Sequence, residues 1–370
     1  MYEEQQLYKD LFYVMFYGGV MVMAFVACAY LLLRLGNAYA PDVTPPLRLR
    51  QWTAAFFALM GLGHVWWVLL TYYQVIDDPC LALAVGCGLD CLTLVPVMMV
   101  MLLVMLQDRR RPLWPIVASM VPIVVVLVVS MILHSDVYVP LLRVYIVLLC
   151  IGFVVVMTRA VRQYGRWLRD NYADLEHKEV WQSMLAILVC LMILLFYISV
   201  GTGSFLAYVV QLNDLVLLGV LLWRVETLQT LDDAAHQSAA GDEAAAAVSA
   251  TALSGATVAH IGQLLEQRCE ATQLYLRHDI RVDDLCRAIG TNRNYLSQYF
   301  VMQKTTYNAY INNLRIEHFV RLYREAVAEK RPFTAQQLAL ESGFRSYSTF
   351  GMAFKQRMGQ TATSWMRNAN

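Results

Sequence analysis

Residues 1–225 alternate between long apolar stretches and short polar stretches, on a length scale typical of membrane helices. A helix needs about 20 mainly apolar residues to cross the hydrocarbon layer of a bilayer. The stretches that approach or exceed this length are residues 11–35, 52–73, 81–106, 113–133, 140–159, 180–200 and 205–223. The pattern therefore predicts a bundle of seven transmembrane helices, the last two joined by a tight turn at residues 201–204.

Residues 226–259 differ in composition from the chain on either side. They are rich in Ala, Ser, Thr and Asp, and no apolar face is sustained along them. Such a segment cannot bury a core, so we expect a linker whose first turn or two can extend the seventh membrane helix. The next apolar residues recur at near-helical spacing and predict an amphipathic helix: Val258, Ile261, Leu264, Leu265 and Leu276.

A helix-turn-helix pattern follows. Residues 282–289 predict a short helix with Leu285 and Ile289 facing inward, and Gly290 supplies the turn. Asn292 is a favourable N-cap for a second helix, here called the first recognition helix. Its outward side chains are of types that bond base edges in the major groove, namely Arg293, Asn294, Ser297 and Gln298.

The same pattern then recurs. Residues 334–342 predict a helix, Gly343 and Phe344 a turn, and residues 346–355 a second recognition helix. The candidate DNA contacts in this unit are Arg345, Ser346, Tyr347 and Thr349.

A long helix over residues 310–322 is predicted to connect the two units. It contains Arg315, which either ties helices together or meets a DNA phosphate. Two rigidly joined recognition helices would enter successive major grooves, about 34 Å apart on one face of the DNA.

Composition supports two different environments within one chain. Hydrophobic residues make up 58% and charged residues 15%, against roughly 45–50% and about 25% in an ordinary globular domain. Residues 260–370 nevertheless hold 15 Lys and Arg against 9 Asp and Glu, while the rest of the chain holds 14 against 19. The basic C-terminal domain suits a polyanion. The predicted fold class is all-α, with a polytopic membrane bundle and an all-helical domain.

Loop charge indicates the orientation in the membrane. Basic residues lie in the loops after the first, third and fifth predicted spans: Arg34, Arg48, Arg50, Arg109, Arg110, Arg111, Arg159, Arg162, Arg166, Arg169 and Lys178. The loops after the other spans carry Asp77, Asp78 and Asp136 instead. By the positive-inside rule we expect the N-terminus outside and residues 260–370 in the cytoplasm, in a bacterial inner membrane.

Three ionisable residues fall well inside predicted spans: His64, Asp90 and Asp214. A charged group there is unfavourable, so each needs a partner or a wet cavity. Two hypotheses remain open, a ligand or proton site and hydrogen-bonded contacts between helices. Cys87 and Cys91 share a helix face with Asp90, but packing is favoured over metal binding, and the chain lacks any CxxC motif. We therefore expect no metal and no cofactor.

The C-terminal residues resemble a known family. The positions that carry the resemblance are Leu285, Tyr295, Leu296, Ser297, Phe300, Tyr310, Ile311, Asn312, Arg315, Ala339, Gly343, Phe344, Ser348, Phe350, Phe354, Lys355 and Gly359. This pattern is similar to the DNA-binding domain of AraC/XylS-type transcription regulators, over about the last 90 residues. The resemblance implies an all-helical domain of about seven helices that binds promoter DNA, often as a dimer.

These features predict a membrane-embedded one-component transcription regulator. The expected partners are double-stranded promoter DNA, membrane lipid, a second copy of the chain and RNA polymerase. An alternative is a transporter or channel whose DNA-binding domain regulates its own gene, and it would show substrate flux lost on Asp214→Ala. We expect no enzyme, because the sequence contains no nucleophile triad, paired metal motif or Gly-rich phosphate loop.

Overall fold

The computed structural model describes residues 10–34, 43–133, 139–200, 204–231 and 254–369. Over these residues the chain is helical and contains no β-strand, which confirms the all-α prediction. Two compact units are present: Met1–Arg162 with Val180–Leu231, and Gln163–Glu179 with Asp232–Asn370. The second unit thus includes a short segment that lies, in sequence, between two of the predicted membrane spans.

The first unit consists mainly of long apolar helices. Their bounds are α1 Leu11–Leu33, α2 Leu47–Thr71, α3 Pro79–Leu89, α4 Val95–Val104, α5 Trp114–Leu133, α6 Val139–Asn171, α7 Trp181–Val200 and α8 Ser204–Thr227. A π-helical turn, Asp90–Leu94, joins α3 to α4. The last residues of α6, from Gln163, belong to the second unit.

Five stretches of the described residues are long and apolar enough to cross a membrane: Leu11–Leu33, Leu47–Thr71, Val85–Val104, Pro140–Asn171 and Phe205–Thr227. Shorter apolar helices cover Trp114–Val129 and Trp181–Cys190, within two further predicted spans. The number seven stays a prediction. Asp136 and the turn at residues 201–203 lie outside the described residues.

Large apolar side chains are exposed along these helices. Val117 is 67% exposed and Leu141 is 64% exposed. The interior of the unit is packed by other apolar residues, such as Phe56, Phe57 and Met101. An apolar exterior around an apolar core is expected where lipid is the solvent.

The end of α8 is tied to other elements of the first unit. Arg50 and Glu226 form a buried ion pair at 3.0 Å, and the Tyr30 hydroxyl donates to the same carboxylate at 3.1 Å. Beyond α8, the Thr230 N–H donates to the Thr44 carbonyl at 2.9 Å. The first residues of the predicted linker are therefore fixed in place, and residues 232–253 lie outside the described residues.

The second unit contains shorter helices. Their bounds are α9 Gly255–Leu265, α10 Val282–Ile289, α11 Arg293–Met302, α12 Tyr307–Ala328, α13 Ala335–Glu341, α14 Tyr347–Met358 and α15 Ala362–Ala369. A π-helical turn, Glu266–Glu270, extends α9, and Leu274–Leu276 forms a short 3₁₀ helix.

The amphipathic helix predicted ahead of the DNA-binding domain is present as α9. Ile261 and Leu265 are buried on its inner face. Including Leu276 in the same helix was wrong, because the backbone turns at Gln273, which adopts a left-handed conformation with φ of 56°. Leu276 instead packs from the 3₁₀ helix that follows.

Two hydrophobic cores share the long helix α12. Tyr307 and Ile311, near its start, pack in the first core with residues of α9, α10 and α11. Ile316, Phe319 and Tyr323 pack in the second core with residues of α13, α14 and α15. The predicted connecting helix is therefore longer than residues 310–322, and each helix-turn-helix unit has its own core.

Candidate DNA-binding interface

The first helix-turn-helix unit consists of α10 and α11. Gly290 ends α10 in a left-handed conformation with φ of 72°. Asn292 caps α11, since its side chain accepts the N–H of Tyr295 at 2.9 Å. The turn and the cap are confirmed as the sequence predicted them.

The predicted DNA contacts of the first unit share one side of α11. Leu296 and Phe300 of the same helix are buried. Ser297 is exposed, and Asn294 and Gln298 are half-buried. Arg293 lies 3.6 Å from the Asp283 carboxylate, and only 14% of its side chain is exposed. Ser297 is thus the most exposed of the four, and a role for these residues as base contacts stays a prediction.

The second unit consists of α13 and α14. Gly343 makes the turn with φ of 86°, and a Cβ there would lie 2.7 Å from the Cα of Leu276. Ser346 caps α14, because its hydroxyl oxygen accepts the Thr349 N–H at 3.2 Å. Glycine is therefore required at this turn for both its conformation and its small size.

The predicted contacts of the second unit have unequal surroundings. Tyr347 is exposed. Arg345 lies 3.8 Å from the Asp279 carboxylate. The hydroxyls of Ser346 and Thr349 both donate to Oε2 of Glu176, at 2.6 and 2.9 Å. The hydroxyl groups of Ser346 and Thr349 therefore already have an acidic hydrogen-bond partner within the domain.

Sequence reasoning missed Glu176. It lies 170 residues before Ser346 in the chain, and no periodicity or local motif connects distant positions of this kind. Sequence reasoning also passed over Met352, which is 67% exposed on α14. An apolar side chain on a recognition helix can contact the methyl group of thymine.

Arg315 ties helices together. Its side chain is 1% exposed, and it donates to the carbonyls of Tyr275 at 2.8 Å and Arg277 at 2.7 Å. Burial lowers the pKa of the guanidinium to about 10. A group so enclosed is held by the domain and is not positioned to meet a phosphate.

The ionisable residues of the apolar region have specific side-chain and backbone partners at His64 and Asp90. His64 bonds the Gln211 side chain at 3.1 Å and the Met60 carbonyl at 2.8 Å, so both ring nitrogens are engaged. Asp90 begins the π-helical turn and accepts the indole N–H of Trp67 at 2.8 Å. The Asp90 charge interacts with both His64 and Asp214.

Small residues make this arrangement possible. A Cβ on Gly86 would lie 2.8 Å from the Trp67 ring. Gly86 therefore allows the indole to approach α3 closely enough to bond Asp90. The observed hydrogen bonds of His64 and Asp90 fit contacts between helices, and a ligand or proton site that includes Asp214 stays a hypothesis.

Comparison with known proteins agrees with the geometry of the two helix-turn-helix units. Residues 285–368 match a family model described as a helix-turn-helix domain. No curated protein and no solved structure matches the chain. The two capped recognition helices and the family match together define a DNA-binding transcription regulator.

The matched region is a helix-turn-helix domain of the AraC type. This confirms the resemblance inferred from the sequence. The apolar helices that precede it in the chain are consistent with a membrane domain.

Proposed function

We propose that this protein is a membrane-embedded one-component transcription regulator that detects a signal at the bilayer and controls promoter activity. One observation carries the proposal: a single chain contains an AraC-type helix-turn-helix domain and, among the residues that the structure describes, five helical stretches long and apolar enough to cross a membrane. We place the N-terminus outside and the DNA-binding domain in the cytoplasm of a bacterial cell, on the loop charges described above.

Pairing of two chains fits this role. One domain presents a single pair of recognition helices, and two paired domains would present two such pairs to the DNA. Joining two domains raises the effective concentration of the second one and thereby the overall affinity. A homodimer and RNA polymerase are accordingly the protein partners in the proposal, and no metal, cofactor or catalytic residue has a part in it.

DNA binding by the full chain in lipid nanodiscs tests the proposal. Duplexes are first selected from genomic fragments by the protein itself. We expect Gln298→Ala to weaken binding to the selected duplexes by about tenfold, because it removes a candidate base contact worth roughly 1–3 kcal/mol. Gln267→Ala is the matched control, since Gln267 is exposed but precedes the matched domain.

Salt dependence provides a second measurement on the same samples. Residues 260–370 have an excess of basic over acidic residues. Binding that releases counterions from DNA should therefore weaken steeply as salt is raised. A flat salt profile, or an equal effect of the two glutamine variants, would contradict the proposed interface.

A further inference from the structure

Residues 163–179, here called the docked segment, form one compact unit with the DNA-binding domain. Ala173 is fully buried in the first hydrophobic core. The side-chain amide of Asn308, on α12, donates to the carbonyls of Tyr172 at 3.1 Å and Ala173 at 2.6 Å. Tyr172 also pairs with Arg281 in an isolated antiparallel bridge. The segment is thus held to the domain by packing and hydrogen bonds that do not involve Glu176.

The docked segment places a carboxylate at the start of the second recognition helix. Oε2 of Glu176 accepts hydrogen bonds from Ser346, the N-cap of α14, and from Thr349 in its first turn. The positive end of the helix dipole favours an anion at this place. A DNA phosphate is such an anion, so Glu176 occupies hydroxyls that a phosphate oxygen would otherwise bond.

A second carboxylate of the docked segment lies near the first recognition helix. Residues 163–179 hold four carboxylates, at Asp170, Asp174, Glu176 and Glu179, against the basic side chains of Arg166, Arg169 and Lys178. The charge of Asp170 interacts with Arg169 and Arg166 of the same segment and, more weakly, with Arg293, the first residue of the first recognition helix. Negative charge from one segment therefore lies near the start of both recognition helices.

We infer that the docked segment is an autoinhibitory element, which holds the second recognition helix through Glu176 and must release Ser346 and Thr349 before that helix binds DNA. The inference rests on the proposed function, because it concerns regulation of the same DNA-binding site. A domain that is open for only part of the time binds DNA with an affinity reduced by that fraction. Any signal that favours release raises the affinity.

The chain offers a path for such a signal. The docked segment begins within α6, whose earlier residues form one of the apolar helices. A change at that helix in the bilayer therefore reaches Glu176 through a short stretch of continuous backbone.

Substitution of Glu176 in the full chain in nanodiscs tests the inference. Glu176→Gln keeps the size of the side chain and removes its charge, while Glu176→Ala removes the acceptor. Because hydrogen bonds to charged groups are among the stronger ones, we expect both variants to tighten the Kd for selected duplexes by about tenfold. Asn308→Ala, which detaches the segment at another point, should act in the same direction.

Glu179→Gln is the matched control, because it removes the same charge at an exposed position three residues away. It should change the Kd by less than about twofold. Hydrogen exchange of residues 172–178 should rise when wild-type protein binds DNA, and it should rise without DNA in Glu176→Ala.

The possible results distinguish failure of the autoinhibitory contact from failure of the proposed DNA-binding function. If wild-type protein binds DNA but the Glu176 variants bind equally or more weakly, the autoinhibitory contact is excluded. It is also excluded if Glu179→Gln tightens binding as much as Glu176→Gln, or if DNA leaves the exchange of residues 172–178 unchanged. If wild-type protein and every variant ignore all duplexes at low ionic strength, the proposed function itself fails, and the inference fails with it.

Discussion

Gly290 and Gly343 occupy equivalent turns in the two helix-turn-helix units, yet their surroundings differ. Both have positive φ, at 72° and 86°. A Cβ on Gly290 would meet nothing within 4 Å, whereas one on Gly343 would lie 2.7 Å from the Leu276 Cα and 2.8 Å from its carbonyl oxygen. The first glycine is needed for its conformation alone, and the second for conformation and space.

This difference predicts unequal effects of alanine. Gly290→Ala should destabilise its unit by roughly 1–2 kcal/mol, the cost of a left-handed residue with a Cβ. Gly343→Ala should cost a further 1–3 kcal/mol or so, because backbone must shift to relieve the overlap. Hydrogen exchange of α11 and α14 in the full chain measures both variants. Equal effects of the two alanines would show that the contact with Leu276 relaxes freely.

Local chemistry explains which residues the sequence predicts correctly. Asn292 caps its own helix as predicted, because this role depends only on a residue three positions away. Ser346, predicted as a DNA contact, caps its helix by an equally local hydrogen bond. The sequence alone allows Arg315 either to tie helices together or to meet a DNA phosphate, because its hydrogen-bond partners lie about 40 residues earlier in the chain. Glu176 was missed for the same reason. Side chains that act over long sequence separations require the fold.

At the level of elements, α12 is the feature that joins the two DNA-binding units. Its first turns complete one core and its middle turns complete the other. The helical period of its apolar residues predicts the element but not its division between two cores. The helical period also wrongly placed Leu276 in the same helix as Leu265. One left-handed residue, Gln273, redirects the chain without interrupting the apolar pattern.

Substitutions at two positions of α12 should therefore act on different recognition helices. Ile311 is buried in the first core, and Phe319 is buried in the second, 4.4 Å from the Phe350 ring. Ile311→Ala should cost about 2–5 kcal/mol and Phe319→Ala about 3–5 kcal/mol, since each leaves a cavity. We expect faster hydrogen exchange mainly in α11 for the first variant and mainly in α14 for the second.

The same hydrogen-exchange data would also show whether the two cores are not independent. If both variants accelerate exchange equally throughout α11 and α14, the two cores unfold as one cooperative unit. Val320→Ala is a suitable control, because Val320 is only partly buried beside the second core. Its effect should follow the direction of Phe319→Ala at a smaller size.

At the scale of the whole molecule, segregated composition predicts the broad organisation well. Apolar length identifies the helices of the first unit, and the basic balance of residues 260–370 indicates a polyanion partner. Composition does not predict that residues 163–179 belong with the DNA-binding domain. That segment is polar and short, so nothing in its pattern distinguishes it from an ordinary loop between two membrane helices.

The carboxyl groups of Asp90 and Asp214 offer a test of sensing by the apolar region. Their charges interact in surroundings that are largely apolar, and two ionised carboxylates in low dielectric repel strongly. Binding of a proton or a ligand there would therefore change which arrangement of the helices is stable. In an Asp90→Asn, Asp214→Asn double variant, we expect the helix arrangement to respond no longer to a proton or ligand at these carboxyl groups. Promoter occupancy should change by about fivefold or more, the lower end of typical allosteric coupling.

Genome-wide DNA crosslinking of the full chain in cells, together with expression of the bound genes, measures this change. Asp77→Asn is the matched control, because Asp77 is exposed and lies outside the apolar stretches. Unchanged occupancy and expression in the double variant would assign both carboxyl groups to packing alone. Substrate flux in vesicles that is lost on Asp214→Ala would favour a transporter, since a regulator needs the carboxylate for a conformational change and not for a path.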